Sequence, residues 1–463
     1  MVKPPESAML TSSFTASLRI FCAILLSLLV LQLASCLRPL PPTKTMFPAQ
    51  PEVRVGLILG RSTIHLQTQE PFSVRDAAGL ALAQNESAGN WTLRVAPIER
   101  GAAKRMLQLT HEETKKKLTL PGGCEMIANR IGVKESAAVQ GQSALPNYLG
   151  RMRFLIKSDT AIAVINILPV EKYLSGVVPA EMSSSFPFEA LKAQAIASRS
   201  EVLYKLAQRV PNRDYDICAD IGCQVYAGLS RKSKDVDRAI RETQGLVLKV
   251  GEEVVTAPYS SVCGGHTENN ESVWSGNARS HLRGVYDGKH APEFARQLMN
   301  NEDAMRKWLN AMPPAHCQIG AEVTTRTLDY ARGYYRWEVQ ITAQEMAAHL
   351  AKKTGENFGE LLELVPLKRG VSGRVTKLRV AGSKKSFELN GELVIRQALA
   401  PQGLPSAMFV VNKEGAKFIL RGGGRGHGVG MCQVGAAMMA LRGKAYDTIL
   451  RHYYSEVRLT RVY

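Results

Sequence analysis

The sequence predicts an α+β fold: a β-rich N-terminal platform packed with an alanine-rich helical region. Three observations lead there. Residues 51–168 hold short runs of alternating apolar and polar side chains, among them Val53–Leu66, Trp91–Ile98 and Ala161–Leu168, the period of half-buried strands. Leu191, Ala195, Val202 and Leu206 then recur at helical spacing, with Ala190, Ala193 and Ala197 between them. Beyond that helix, helical and strand-like runs interleave to the C-terminus.

The chain has 463 residues, 45% of them hydrophobic, enough for a large core and two or three domain-sized units. Arg19 precedes an apolar run, Ile20–Leu33, too short for a comfortable membrane span. The run ends in Leu33-Ala34-Ser35-Cys36, which resembles the bacterial lipobox whose cysteine is lipidated after cleavage. Residues 1–36 therefore read as an export signal with Cys36 as the lipidation site; an ordinary cleaved signal and an uncleaved anchor are the alternatives. Pro39, Pro41 and Pro42 make residues 37–50 a stiff, proline-rich tether. On this reading the mature chain lies outside the cytoplasm, held to the membrane by its lipid.

Residues 169–463 form the second part. Pro169 starts a short helix, Val170–Gly176, which delivers Val177-Val178-Pro179 and then Glu181. Ser185 is a natural N-cap for the alanine-rich helix, Pro187 suits its first turn and Glu189 its positive end. A helix so rich in alanine lets neighbouring backbone approach and is buried on most sides. Glu181 is flanked by Val177, Val178, Met182 and Phe186, so desolvation should raise its pKa toward the range of a general acid. The plainer alternative is a carboxylate that merely favours a helix N-terminus. Asp235–Thr243 reads as a helix, and Leu246–Val250 with Val254–Tyr259 as a hairpin turning at Gly251-Glu252. Residues 287–366 are less regular, hold Trp308, Trp337 and a helical pattern over Ala343–Lys352, and read as an insertion or separate lobe. Strands resume at Gly373–Val380 and Ala407–Asn412.

The formal net charge of +18 calls for an anionic partner: nucleic acid, an anionic membrane face or an acidic cell-wall polymer. Aromatic residues are only 6%, and neither zinc-finger spacing nor an RNP-like motif occurs, so nucleic acid is the least favoured of the three. Near the C-terminus, six glycines between Gly422 and Gly430 permit left-handed backbone and close approach of main-chain N–H groups to a ligand. No Lys-Ser/Thr follows them, so this is not a phosphate loop. His427, wedged between Gly426 and Gly428, either faces a cleft or serves as a structural hydrogen-bonder. Val434–Leu441 then reads as a helix stopped by Gly443, and Tyr446, Ile449, Leu450 and Tyr453 as the core face of another.

Gly426-His427-Gly428-Val429-Gly430-Met431, Gln433, Gly435-Ala436 and Ile449-Leu450-Arg451-His452-Tyr453-Tyr454 resemble the C-terminal signature of the stage II sporulation protein D (SpoIID)/LytB family. The stretch Val170-Glu171-Lys172-Tyr173-Leu174 through Glu181-Met182 and Glu189–Ala195, then Gln224–Gly228 and Gly264–Glu268 with Trp274, fits the same family in the same order. The resemblance runs from about residue 51 to the end. It implies a SpoIID-like fold and a lytic transglycosylase acting on peptidoglycan glycan strands stripped of stem peptides, with Glu181 as the acid/base. It also implies that Gly426, His427, Gly428 and Gln433 help line the substrate cleft. A lone acid suits that chemistry, because one group can protonate the glycosidic oxygen and then deprotonate the sugar's own 6-hydroxyl, whereas a hydrolase needs two carboxylates. The first alternative is a non-catalytic glycan-binding activator of an N-acetylmuramoyl-L-alanine amidase, as the family's LytB side suggests. The second is a nucleic-acid-binding protein, which charge alone supports and the export signal opposes.

Eight cysteines are present, of which Cys22 and Cys36 belong to the export signal. The remaining six would lie where disulfides persist. Family members that bind a metal carry zinc on two cysteines spaced like Cys218 and Cys223, with histidines nearby. Here Gly222 and Asn212 stand where the histidines are expected. Cys263 and His266 would complete a structural Cys3His zinc site; one or two disulfides are the alternative. The proposed chemistry itself needs no cofactor. Cys432 replaces the family's usual serine, Ser280-His281-Leu282 lacks the common aromatic, and Arg396 and Ser406 are expected to be structural.

Overall fold

The platform is two antiparallel-rich sheets that share one core. The first runs in the order Ile217–Cys218, Glu52–Arg61, Ile162–Pro169, Arg151–Ile156, Glu125–Ile127, Phe72–Arg75 and Ala81–Glu86. The second runs Asn147–Tyr148, Ile131–Val133, Thr63–Thr68, Gly89–Val95, Met106–His111 and Lys117–Pro121. Thr63–Thr68 alternates buried and half-buried residues, and Ile64 and Leu66 join Trp91, Leu93, Leu107 and Leu109 inside. Phe72 of one sheet meets Trp91 of the other edge-on, with ring centroids 5.2 Å apart. The computed structural model describes residues 49–97, 104–134, 145–210, 213–220, 222–298, 301–321 and 323–463. The export signal, including Cys22 and Cys36, and the tether up to residue 48 lie outside them.

Nine α-helices occur among the described residues: α1 (Val170–Glu181), α2 (Phe188–Ala207), α3 (Lys234–Glu242), α4 (Glu302–Ala311), α5 (Asp329–Tyr335), α6 (Ala343–Thr354), α7 (Glu392–Leu399), α8 (Gln433–Leu441) and α9 (Tyr446–Tyr453). None is long and apolar enough to cross a membrane. The alanine-rich helix α2 is the hub. It touches α1, α3, α8, α9 and the strand Leu246–Val250. Ala190, Ala193, Ala195 and Ala197 are wholly buried, as a helix surrounded by neighbours requires. The strand Ile162–Pro169 runs directly into α1, and no break between compact units falls at residue 168.

Two local expectations are corrected. The first helix does not stop at Gly176; it continues through Pro179 to Glu181, because burial of Val177, Val178 and Pro179 outweighs their poor helix propensity. Ser185 does not cap α2: Pro187 stands at the N-cap with no side-chain bond. The Ser185 hydroxyl lies 2.9 Å from that of Ser183 and 2.7 Å from that of Thr327 instead.

The segment expected to be irregular is more ordered and differently bounded. A separate apolar core gathers Ile341, Met346, Leu350, Phe358, Val380, Ile395 and Phe409. Around it lie α6, α7 and two three-stranded sheets, one of Trp337–Thr342, Lys417–Gly422 and Phe409–Glu414, the other of Leu361–Arg369, Val375–Gly382 and Ser386–Asn390. The lobe therefore extends past residue 366 to Gly422. Trp337–Thr342 does alternate, with Trp337, Val339 and Ile341 turned to this core, whereas the pairing of Leu361–Arg369 shifts register around Pro366 and blurs its pattern.

One buried ion pair locks the hub. Arg199 of α2 is fully buried and donates from Nε and Nη2 to both carboxylate oxygens of Glu171 on α1, each at 2.8 Å. Arg199 Nη1 also donates to the Leu246 carbonyl at 3.1 Å, and the Tyr463 hydroxyl to Glu171 Oε1 at 2.6 Å. Truncating Arg199 leaves the Glu171 carboxylate, only 13% exposed, without its counter-ion. Arg199→Ala is therefore expected to cost about 3–5 kcal/mol, read as a lower urea midpoint; a midpoint equal to wild type would show that the pair is dispensable.

Candidate functional site

Glu181, the last residue of α1, stands on the wall of a cavity of about 750 Å³. Its placement starts at Gly176, whose missing side chain lets the Tyr226 ring lie against α1. The Tyr226 hydroxyl donates to Asn166 Oδ1 at 2.8 Å, and the Ala227 N–H to the Gly176 carbonyl at 3.1 Å. So pinned, the segment aims the Val225 N–H at Glu181 Oε1, 2.7 Å away. A polar chain lies behind: the Tyr173 hydroxyl donates to Gln224 Oε1 at 3.1 Å, and Gln224 Nε2 to the Tyr259 hydroxyl at 3.2 Å. Gln433, the first residue of α8, donates from Nε2 to the Glu181 main-chain carbonyl at 3.0 Å and to Gln194 Oε1 at 3.2 Å.

Burial raises the Glu181 carboxyl above its ordinary value, while the Val225 N–H pulls the smaller amount the other way. Arg231, Lys232 and Arg425 line the cavity with Ser261 and Tyr330, and among the described residues Glu181 is its only carboxylate. Arg231 also donates to the Ala180 carbonyl at 3.3 Å, satisfying an orphan acceptor at the end of α1.

The glycine loop is built over buried Arg374. That guanidinium donates to the Cys263 carbonyl at 3.0 Å and to the Ser372 hydroxyl at 2.8 Å, and Ser372 in turn donates to buried Glu268 at 2.6 Å. Gly428 has φ +81°, and a Cβ there would run into the Arg374 guanidinium. The Ser406 hydroxyl donates to the Gly423 carbonyl at 2.6 Å, in keeping with the structural role expected of it. The loop then enters the short strand Met431–Cys432, paired parallel to Tyr259–Ser260, which presents Gln433 to Glu181.

Of the four residues expected to line the substrate cleft, Gln433 lies on the wall of this cavity, and Gly426, His427 and Gly428 are not among its lining residues. His427 Nδ1 accepts from the Val429 N–H at 3.0 Å, and its ring lies 4.9 Å from that of Trp274. Burial pushes its pKa down to about 3, so the imidazole is neutral. The loop contributes Arg425 instead. Sequence reasoning missed Arg425, Arg231 and Tyr330, although a cation set among the loop glycines was a usable signal.

The Cys3His grouping does not form. Cys218 and Cys223 are joined as a disulfide, and bonded sulfurs are no longer the thiolates that zinc requires. His266 holds the Thr267 carbonyl through Nδ1 at 2.7 Å. Cys263 lies with Cys317, Cys432 and Asp287. Asn212 lies outside the described residues.

The family model described as stage II sporulation protein (SpoIID) matches residues 158–249, which include Glu181 and Gln224. A model described as a domain of unknown function (DUF8618) matches residues 268–430, which take in the second lobe and the glycine loop. An uncharacterized protein of Brachyspira hyodysenteriae is 29% identical over 334 residues, 71% of this chain and 78% of the relative. The amidase enhancer of Bacillus subtilis is 31% identical over 305 residues, covering 62% of this chain but only 40% of that protein. Stage II sporulation protein D of Bacillus subtilis is 26% identical over 317 residues, 65% of this chain and 77% of the relative. Residues 158–249 thus match the SpoIID model, and the chain is similar over about two thirds of its length to relatives named amidase enhancer and stage II sporulation protein D.

A carboxyl whose pKa rises on folding binds its proton more tightly in the native state, so stability falls as pH climbs from 4.5, the ordinary value, through the raised one. Glu181→Gln should remove that slope. The variant should melt at or above wild type near pH 7 and with it near about pH 4. A destabilisation that grows with pH would mean the carboxylate is held ionised, contrary to this account.

Proposed function

We propose that the chain is a lytic transglycosylase that cleaves peptide-free peptidoglycan glycan strands to 1,6-anhydromuramyl ends, with Glu181 as its single acid/base. The observation that carries this reading is the lone, desolvated carboxyl on the cavity wall. Protonated Glu181 gives its proton to the glycosidic oxygen as the bond to C1 breaks. The resulting carboxylate then takes the proton of the sugar's 6-hydroxyl, whose oxygen closes on C1. Glu181 ends the cycle protonated, and no water is consumed. Hydrolysis would instead call for a second carboxylate about 5–9.5 Å away to attack or to activate water. Arg231, Lys232 and Arg425 complement the lactyl carboxylates that stem-peptide removal exposes, and the net charge of +18 favours an anionic wall. The match to the SpoIID model and the likeness to relatives named stage II sporulation protein D and amidase enhancer support a SpoIID-like architecture and a role at the cell wall. An extracytoplasmic position, with lipidation at Cys36, completes the reading.

The relative named amidase enhancer supports a second reading, in which the same cavity binds glycan and a partner amidase does the cutting. Product analysis separates the two. Purified protein incubated with denuded glycan strands should yield anhydro-ended fragments by mass spectrometry, and Glu181→Gln should lower the rate by about 10²–10⁴-fold. Uncut strands with wild-type protein, together with amidase stimulation that survives Glu181→Gln, would replace the enzyme with the activator.

A further inference from the structure

We propose that Cys263, Asp287, Cys317 and Cys432 form a buried structural zinc site. Their ligand atoms all lie within 4.8 Å of one another, and all four residues are wholly buried. Cys263 Sγ is 3.4 Å from Cys317 Sγ and 3.1 Å from Asp287 Oδ2. A tetrahedral zinc with bonds of about 2.3 Å to sulfur sets its sulfurs roughly 3.7 Å apart. The four side chains thus need only small rotamer adjustments to close on one ion.

The surroundings are those of a metal-bound set. Asp287 turns Oδ1 to the Tyr453 hydroxyl at 2.7 Å, with His452 Nε2 at 3.5 Å, which leaves Oδ2 toward the sulfurs. Cys432 caps α8, and its sulfur accepts the N–H groups of Cys263 at 3.2 Å and Gly435 at 3.4 Å. A neutral thiol is a weak acceptor, and two N–H groups at a helix N-terminus favour a thiolate. A fully buried carboxylate is kept where it is paired or bound to a metal. Three sulfurs also fit a metal better than a disulfide, which would leave one of them and the carboxylate unmatched.

Binding would release the thiol protons, and the ion would staple four segments distant in sequence. Cys263 and Cys432 flank the region matched by the model of unknown function, whereas Asp287 and Cys317 lie inside it. The staple would fasten that region to the segments on either side of it. It would also fix Cys432 beside Gln433, and so hold the contact to Glu181. The site does not depend on Glu181 being catalytic.

The full chain, purified from zinc-supplemented culture, tests this by elemental analysis. One zinc per chain is expected in wild type and in the Cys218→Ser, Cys223→Ser double variant, and roughly tenfold less in Cys317→Ser. Tyr453→Phe should bind zinc about 10- to 100-fold more weakly. If Cys317→Ser does not fold, wild type still decides. Thiol modification by an organomercurial should release zinc, followed with a metallochromic dye, as peptides containing Cys263, Cys317 and Cys432 are labelled. Wild type that stays metal-free in excess zinc would overturn the site. So would peptide mapping that finds a Cys263–Cys317 disulfide, or zinc lost with the Cys218, Cys223 pair and kept without Cys317.

Discussion

A single side-chain amide joins segments of this protein that lie far apart in sequence. Gln433 reaches from the start of α8 to the Glu181 carbonyl at the end of α1 and to Gln194 on α2, residues 252 and 239 positions away. Through it the C-terminal glycine loop, the central helix and the acidic residue become one arrangement. The geometry rests on a short parallel strand pair, Tyr259–Ser260 with Met431–Cys432, which permits little slack in where Gln433 starts. The loop before that strand is fixed in turn by Arg374, which fills the space a side chain at residue 428 would need.

No second carboxylate among the described residues lines the cavity, although Arg231, Lys232 and Arg425 do. Among the described residues, the direct partner of the Glu181 carboxylate is the Val225 main-chain N–H. Such a bond orients the group without ionising it as a guanidinium would, so desolvation prevails. The contrast with Glu171, ten positions earlier on the same helix, is instructive. Glu171 is clasped by Arg199 and serves the fold. Two glutamates on one helix thus take opposite parts, decided by what each one faces.

The second lobe bears on the site indirectly. It supplies Arg374 and, through Ser372 and Val371, the partners of buried Glu268, and these hold the glycine loop from behind. Its separate apolar core explains how it keeps its shape while leaving α1 and α2 to the main core.

Much of the site is legible in the sequence alone. The apolar residues around Glu181 announced a desolvated acid, the alanines of α2 announced a helix buried all round, and the alternation in residues 51–168 announced sheets, because burial and period are local properties of the chain. Tertiary structure alone decided what those residues meet. It carried α1 through Pro179, left Ser185 without a helix to cap, bonded Cys218 to Cys223 and set Cys263 among partners far away in the chain. It exchanged His427 for Arg425 at the cavity and gave Arg199 its carboxylate. A sequence states which side chains seek burial, charge or a partner; which partner each finds depends on distances that exist only once the sheets, helices and lobe have packed.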